Sequence, residues 1–359
     1  MGLRKVLLKH YACYPKMDIQ DMVKLIYQNE FAGGHLIENE KASLEFLQRE
    51  FTSLGEKGYQ DSSPRENIFV DIGNSLCRLH LQSLKTVHLS LETVNKFFIN
   101  TANNNSGTIN DFLAKLEIFK GCCQEGLLAF PLDEVEDYLK FYEKAGYPPV
   151  SHSEVYRANY CPAYRIVQTE YWDYFDVFTT IDSLLQTQQT VIVAIDGNSG
   201  AGKSTLANLI ASVYDCNLFR MDDFFLTPEL KTEERLKEIG GNVDYQRFKE
   251  EVIRGIQSGK EFQYQVYDCQ EMKLREKVLV HPKKLNIIEG SYSMHPSLND
   301  NYHLKLFMAI DEKEQSKRIL KRNGPVMHKV FLEKWIPLEN EYFEKMKIKE
   351  KSDLIYSIL

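Results

Sequence analysis

No stretch of the chain approaches the ~20 consecutive apolar residues that a membrane helix needs, so no membrane span is expected. A surplus of basic charge is also missing: 44 lysines and arginines face 51 aspartates and glutamates, a net charge of −7. That balance argues against a general nucleic-acid binder, which carries a basic face, but leaves room for a local basic site for a nucleotide. The seven cysteines (Cys13, Cys77, Cys122, Cys123, Cys161, Cys216, Cys269) are an odd number without any Cys-x-x-Cys spacing. They fit reduced thiols better than a disulfide framework or a zinc site. The opening MGLRKVLLKHYACYP is too weakly apolar for a secretory signal, Val6 stands where myristoylation wants Ser or Thr, and IYSIL offers no cysteine for prenylation. A cytoplasmic location is the expectation. Internal repeats and low-complexity tracts are absent as well. What is present is ordinary: 43% hydrophobic and 26% charged residues in 359, the composition of a globular chain of about two domains.

The first half reads as mostly helical. Ile19, Met22, Val23 and Ile26 make an apolar stripe over Asp18 to Phe31, and Leu44, Leu47, Phe51 and Leu54 do so over Asn39 to Leu54. A polar loop from Gly55 to Arg65 follows. Thr108 with Asp111 resembles a capping box opening the helix Asn110 to Lys120. Leu132 to Ala145 is a helix stopped by Gly146, Pro148 and Pro149, and Gln168 to Leu185 is a long aromatic helix. The short polar stretch Gln186 to Thr190 marks the domain boundary, giving residues 1–186 and 187–359. Beyond it, apolar runs alternate with helical segments: Val191 to Ile195, Asn217 to Met221, Leu285 to Glu289, Leu304 to Ile310 and Asp353 to Ile358. Five such strands predict an α/β fold, a parallel sheet with flanking helices.

Between the first strand and the first helix of that half lies Gly197-Asn198-Ser199-Gly200-Ala201-Gly202-Lys203-Ser204, followed by Thr205. It matches G-x-x-x-x-G-K-[ST], the phosphate-binding loop. Glycines let the backbone curl so that N–H groups face phosphate oxygens, and the helix that follows adds the positive end of its dipole. Lys203 supplies a point charge to the outer phosphates of ATP, and Ser204 offers a hydroxyl to Mg²⁺. The second strand ends in Arg220-Met221-Asp222-Asp223-Phe224-Phe225. Asp222 can take a substrate hydroxyl proton, or the pair can simply cap the next helix. Glu289, which ends an apolar strand, can hold Mg²⁺ or its water shell, or be a salt-bridged carboxylate.

From about Val191 onward the sequence resembles the uridine kinase and phosphoribulokinase-like family of P-loop kinases. The residues that carry the likeness are GNSGAGKST, MDDFF, NVDYQRF, QVYDC, IIEG, DEKEQSKRILKR and WIPLENEYF followed by SDLIY. The resemblance implies a P-loop kinase domain, with Asp222 as the general base and Glu289 as the acid of the metal site. It further implies that Asp244 holds ribose hydroxyls, that Tyr267 lies beside the base, and that Arg318 and Lys321 belong to a lid over the phosphates. Arg318, Lys321 and Arg322 share a helix face, which Gly324-Pro325 ends. The family's pyrimidine-reading histidine is replaced here by Met272, whose thioether lacks imidazole's hydrogen-bonding chemistry. Val326 and His328 stand where the family has a second arginine cluster.

The first half carries no family likeness. Its notable tracts are Gly33-Gly34-His35, the segment Leu76 to His80 that puts Arg78 and His80 on one face if extended, and Ser151 to Arg165. The last mixes aromatics with arginines and can form an anion or nucleotide pocket, or be surface arginines over core tyrosines. His35, His80 and His152 lack the spacing of a zinc site. The expected protein is thus an ATP- and Mg²⁺-dependent kinase acting on a hydroxyl of a nucleoside or similar small metabolite. Two alternatives stand beside it: a pantothenate-, glycerate- or sugar-phosphate-type acceptor, and a nucleotide-sensing switch that acts through the helical domain. Neither nucleic acid nor membrane is an expected partner, and oligomerisation is left open.

Overall fold

The structure is a computed structural model describing residues 2–33, 36–54 and 68–358. The chain divides into two compact units, Met1–Thr179 and Thr180–Leu359. His35 and the polar loop Gly55 to Arg65 lie outside the described residues.

The first unit begins with three helices: α1 (Leu3–Cys13), α2 (Ile19–Phe31) and α3 (Glu40–Ser53). Asp18 caps α2 through the N–H of Asp21, which returns the bond from its own carboxylate, so the helix starts where its apolar stripe starts. Two short strands, β1 (Phe69–Gly73) and β2 (Leu76–His80), then form a hairpin. Its turn residues Asn74 and Ser75 both have φ of +56°, the backbone that lets a two-residue turn follow the strand twist. Helices α4 (Leu91–Asn103), α5 (Ile109–Gln124), α6 (Leu132–Lys144) and α7 (Glu154–Tyr160) follow, and β3 (Tyr164–Gln168) pairs antiparallel with β2. At α5 the Thr108 hydroxyl caps the helix as expected, accepting from the Asp111 N–H at 3.1 Å, but the Thr108 N–H donates to Glu30 at 2.7 Å, so the reciprocal half of the expected capping box does not form.

The half expected to be mostly helical therefore also holds a three-stranded antiparallel sheet. The single helix expected over Gln168 to Leu185 is instead the end of β3, a turn of helix α8 (Thr169–Asp173) and α9 (Phe175–Thr187). Tyr174 interrupts it with non-helical angles, while Trp172 stacks on Phe69 of β1 at 5.5 Å and Phe175 meets the same ring edge-on at 5.1 Å. Two contacts to one sheet residue outweigh continuous helix. The unit's core joins α1, α2, α5, α6 and the sheet through Val6, Leu7, Ile26, Ile72, Phe112, Phe119 and Val135, all buried.

The second unit is built on a five-stranded parallel sheet. Its strands are β4 (Val191–Gly197), β5 (Cys216–Arg220), β8 (Leu285–Glu289), β9 (Leu304–Ile310) and β10 (Leu354–Ile358), in the order β10-β9-β4-β8-β5. Helix α10 (Lys203–Val213) joins β4 to β5, and three short helices, α11 (Glu233–Lys237), α12 (Tyr245–Phe248) and α13 (Arg254–Ser258), follow β5. A hairpin that the apolar pattern does not reveal, β6 (Phe262–Asp268) with β7 (Lys273–Val280), stands apart from the sheet. Helices α14 (Glu312–Val330) and α15 (Ile336–Lys345) lie between β9 and β10, with a kink at Gly324 where a helix end was expected. One face of the sheet is covered by a core of Ile192, Ala194, Phe219, Ile288 and Phe307 with Phe248, Tyr342 and Phe343. Among the described residues no helix is long and apolar enough to cross a membrane, and the seven cysteines are free.

Candidate active site

All residues of β4 are buried, and the strand runs directly into the glycine-rich loop. Gly197 is the junction, at φ +134°. A Cβ there would come within 2.1 Å of the Met308 carbonyl on the neighbouring strand, so only glycine fits. The loop then turns into α10, whose first residue is Lys203. The Lys203 ammonium, on a side chain only 9% exposed, donates to the carbonyls of Gly197 (2.7 Å) and Asn198 (3.1 Å) and to the Ser291 hydroxyl (3.3 Å). It is thus folded back over the loop. Ser204 and Thr205, in the first turn of α10, are exposed.

Strand register brings the acids to this point. Glu289 pairs with Ile195 on one side and Arg220 on the other, so all three sit at one end of the sheet. Such strand ends are where open α/β sheets bind ligands. The Ser204 hydroxyl donates to Glu289 Oε1 at 3.1 Å, and Arg220 Nε lies 3.7 Å from the same oxygen. Burial raises the Glu289 pKa, and the Ser204 bond and the Lys203 charge oppose that shift. Asp222 follows β5 in a tight turn, Met221–Phe224. Its carboxylate keeps solvent access while protein crowds it, and this desolvation raises its pKa against the pull of Lys203, Arg322 and Arg220. Asp223 is raised by burial too, but Arg220 is the largest charge acting on it, followed by Asp222 and Arg247. The adjacent acids therefore differ in the charges they feel.

Asp244 is the N-cap of α12: it accepts from Arg247 N–H at 3.0 Å, and its own N–H donates to the Phe224 carbonyl at 2.8 Å. Arg247 ties the region together, donating to the carbonyls of Asp223 (2.9 Å) and Gln265 (2.6 Å). Tyr267 is buried, with Lys231 Nζ 3.4 Å from its hydroxyl. Met272 is 50% exposed at the hairpin turn, with φ of +54°. Arg318, on α14, reaches the Gly200 carbonyl at 3.4 Å and is braced by Glu314 at 2.9 Å, whereas Lys321 on the same helix is exposed.

Several residues at this site carry no sequence signal of their own. Glu339 of α15, 5% exposed, accepts from the Ser199 N–H (3.0 Å), the Ser199 hydroxyl (2.6 Å) and the Ser291 hydroxyl (2.7 Å). Gln315 of α14 donates to the Ser199 carbonyl at 2.9 Å. Asp196, fully buried at the end of β4, accepts from the N–H groups of Gly197, Tyr292 and Met294 and from the Tyr342 hydroxyl. Burial nevertheless pushes its carboxyl up to about 6. An acid closing an otherwise wholly apolar strand is the one visible hint of Asp196. A glutamate on an amphipathic helix gives no such hint.

A parallel sheet, a glycine loop at its central strand and a lysine opening the next helix define a P-loop α/β domain. No protein-family profile and no curated protein matches the chain. Among solved structures, it is similar to a possible uridine kinase from Bacillus stearothermophilus at 18% identity, over 50% of this chain and 99% of that one, with a TM-score of 0.39. It is similar also to a candidate fructose transport system kinase from Silicibacter sp. TM1040 at 19% identity, over 48% and 97% of the two chains, with a TM-score of 0.38.

Proposed function

We propose that the second unit is a small-molecule kinase, transferring the γ-phosphoryl of ATP to a hydroxyl of a nucleoside or similar metabolite. The observation that carries this reading is one constellation: Lys203 and Ser204 opening α10, Glu289 within 3.1 Å of Ser204, and Asp222 in the field of Lys203. The loop from Gly197 to Thr205 holds the phosphates, and Lys203 neutralises the charge that develops during transfer. Ser204 and Glu289 are hard oxygen donors. Such a pair suits Mg²⁺, which takes much of its shell from phosphate and water. Asp222 accepts the proton of the acceptor hydroxyl. As the new O–P bond forms, the bond between the β–γ bridging oxygen and the γ-phosphorus breaks and ADP leaves. Arg318 and Lys321 cover the phosphates from α14, and Asp244 and Tyr267 face the acceptor.

A non-nucleoside acceptor is the second reading. It is favoured by Met272, an exposed thioether at the hairpin turn. The test is a screen of hydroxyl metabolites for ATP-to-ADP turnover by the purified chain, with Lys203→Ala as control. Turnover with at least one acceptor, reduced about 10²-fold or more in the folded variant, is expected. Equal turnover by both proteins would refute the assignment.

A further inference from the structure

In the first unit, Asp21, Lys24 and Gln28 recur at helical spacing and so share one face of α2. The contacts of that face run inward. Gln28 Oε1 accepts from Arg78 Nε (3.2 Å) and Nη2 (2.8 Å), and Gln28 Nε2 donates to the Tyr164 hydroxyl at 3.1 Å. The Arg78 guanidinium stands 4.6 Å from the centre of the Tyr164 ring. That hydroxyl is 2.5 Å from His152 Nε2, and His152 Nδ1 is 2.8 Å from Asp21 Oδ1. Burial pushes His152 down to about 4, so near neutral pH it is uncharged. Its single proton then faces Asp21, and Nε2 accepts from Tyr164. A continuous polar chain from Arg78 to Asp21 is thus drawn from α2, β2, β3 and the segment before α7.

Packing alone does not account for three features of this chain. Arg78 is 1% exposed on the central strand, yet among the described residues its partners are the neutral Gln28 amide oxygen, the Tyr156 phenol and the Tyr164 ring, with no carboxylate at ion-pair distance. A guanidinium buried without a counter-charge is costly. Asp21, the carboxylate at the far end, is already engaged by the Ser153 N–H (3.1 Å), the Ser153 hydroxyl (2.7 Å) and His152. Cations nevertheless accumulate: burial and the Arg78 charge push Lys24 down to about 8 against the pull of Asp21, and Arg157 adds to that push. The third feature is His80, the register partner of Tyr164, whose buried Nε2 has no hydrogen-bond partner.

We infer that this cluster is a binding site for the oxyanion group of a small molecule, a phosphoryl or carboxylate, with Arg78 and Lys24 supplying the charge and Tyr164, fixed by His152 and Asp21, orienting the group. Excess positive charge, a spare imidazole nitrogen and a phenol locked in direction are what such a group recognises. The site lies wholly within the first unit and does not depend on the kinase reading.

The test follows unfolding of the full chain through Trp172, in a Trp335→Phe background, during titration with inorganic phosphate and, separately, acetate, against chloride at equal ionic strength. A saturable rise in the unfolding midpoint is expected with at least one oxyanion. A stronger response to phosphate assigns a phosphoryl ligand, and a stronger response to acetate a carboxylate. Lys24→Ala and Tyr164→Phe should each weaken the apparent Kd tenfold or more, while Lys203→Ala, which disables the phosphate loop of the other unit, should leave it unchanged. Arg78→Met should abolish the response while leaving the anion-free midpoint at or above that of the parent. A purely structural arginine would instead lower that midpoint and keep the response. If Arg78→Met does not fold, Lys24→Ala decides, because Lys24 is partly exposed. No oxyanion response in the parent, a response equal in Lys24→Ala, or one lost in Lys203→Ala would each overturn the proposal.

Discussion

Glu339 holds Ser199 twice, taking the backbone N–H at 3.0 Å and the hydroxyl at 2.6 Å on its two carboxylate oxygens. Ser199 is in the middle of the phosphate loop, so a residue 140 positions away sets the shape of that loop. Glu339→Ala leaves the Ser199 N–H and two hydroxyls without this partner, and a buried donor left unpaired costs about 1–3 kcal/mol. We expect a loss of stability in that range and a KM for ATP raised about tenfold with a smaller change in kcat. Urea unfolding and steady-state kinetics check both. A lower kcat at unchanged KM would place Glu339 in the chemical step instead.

The two acids after β5 should separate by substitution. Asp222 feels Lys203, Glu339 and Arg322 as well as Arg220, whereas the charges on Asp223 are Arg220, Asp222 and Arg247. Asp222→Asn keeps size and hydrogen bonding but cannot take a proton. It should lower kcat by about 10² to 10⁴ with little change in ATP affinity, the range for loss of a positioned base. Asp223→Asn should do less, and the reverse ranking at preserved ATP affinity would exchange their roles.

The units should respond oppositely to acid. In the first, burial, reinforced by the Arg78 charge, holds His10 near 3 and His80 near 4, and burial holds His152 near 4. Their native pKa values are depressed, so below about 6.5 the unfolded chain takes up protons that the folded chain refuses. Stability is complete above that pH and declines as pH falls toward 4, by about 1.4 kcal/mol per pH unit for each such proton. In the second unit burial raises Asp196 to about 6 and also lifts Asp222, Asp223 and Glu289. A raised acid binds protons in the native state first, so its contribution improves on acidification; His295, pushed down to about 4 by burial, opposes it. Each unit contains one tryptophan, Trp172 or Trp335. Urea midpoints of the two single-tryptophan variants between pH 7 and 5 should fall for Trp172 and hold or rise for Trp335. Parallel curves would show that these groups do not control stability.

Uridine should be a poor acceptor. On the proposed kinase reading the hairpin turn faces the acceptor, and Met272, half exposed there, lacks the donor and acceptor pair that a pyrimidine edge requires. A kcat/KM for uridine of about 10⁵ M⁻¹s⁻¹ or more, an ordinary enzyme value, would contradict this.

The central sheet of the second unit is legible because its inner strands β4 and β8 are buried along their whole length and its strands read as largely apolar runs. Val191 to Ile195 and Leu304 to Ile310 fall within β4 and β9 almost residue for residue. The hairpin Phe262–Val280 is illegible by the same rule: β7 is mostly exposed and rich in lysine and arginine. In the first unit β1, β2 and β3 have five residues each, too short for periodicity to tell strand from helix. Arg78 and His80 do lie on an extended strand, where alternation gives them one face. The phosphate loop announces itself because its glycines and lysine are contiguous. Glu339, Gln315 and Asp196 come to it from separate elements, and only the folded chain shows them together.

The kink at Gly324 makes α14 two levers rather than one rod. Gly324, at φ +73° and ψ 173°, already stands outside the helix, and Pro325 has no N–H to donate to the turn before it. A change of angle there breaks no hydrogen bond of Pro325, because none exists, and nothing lies within 4 Å of where a Cβ on Gly324 would sit. The Ser316 hydroxyl lies 2.8 Å from His328 Nε2, however, so the segment bearing Arg318, fastened to Gly200, is itself latched across the kink to the segment bearing Val326. A residue with a side chain at 324 would not collide with anything, yet at φ +73° and ψ 173° it would strain the backbone, so the angle between the segments is one that glycine alone holds at no cost.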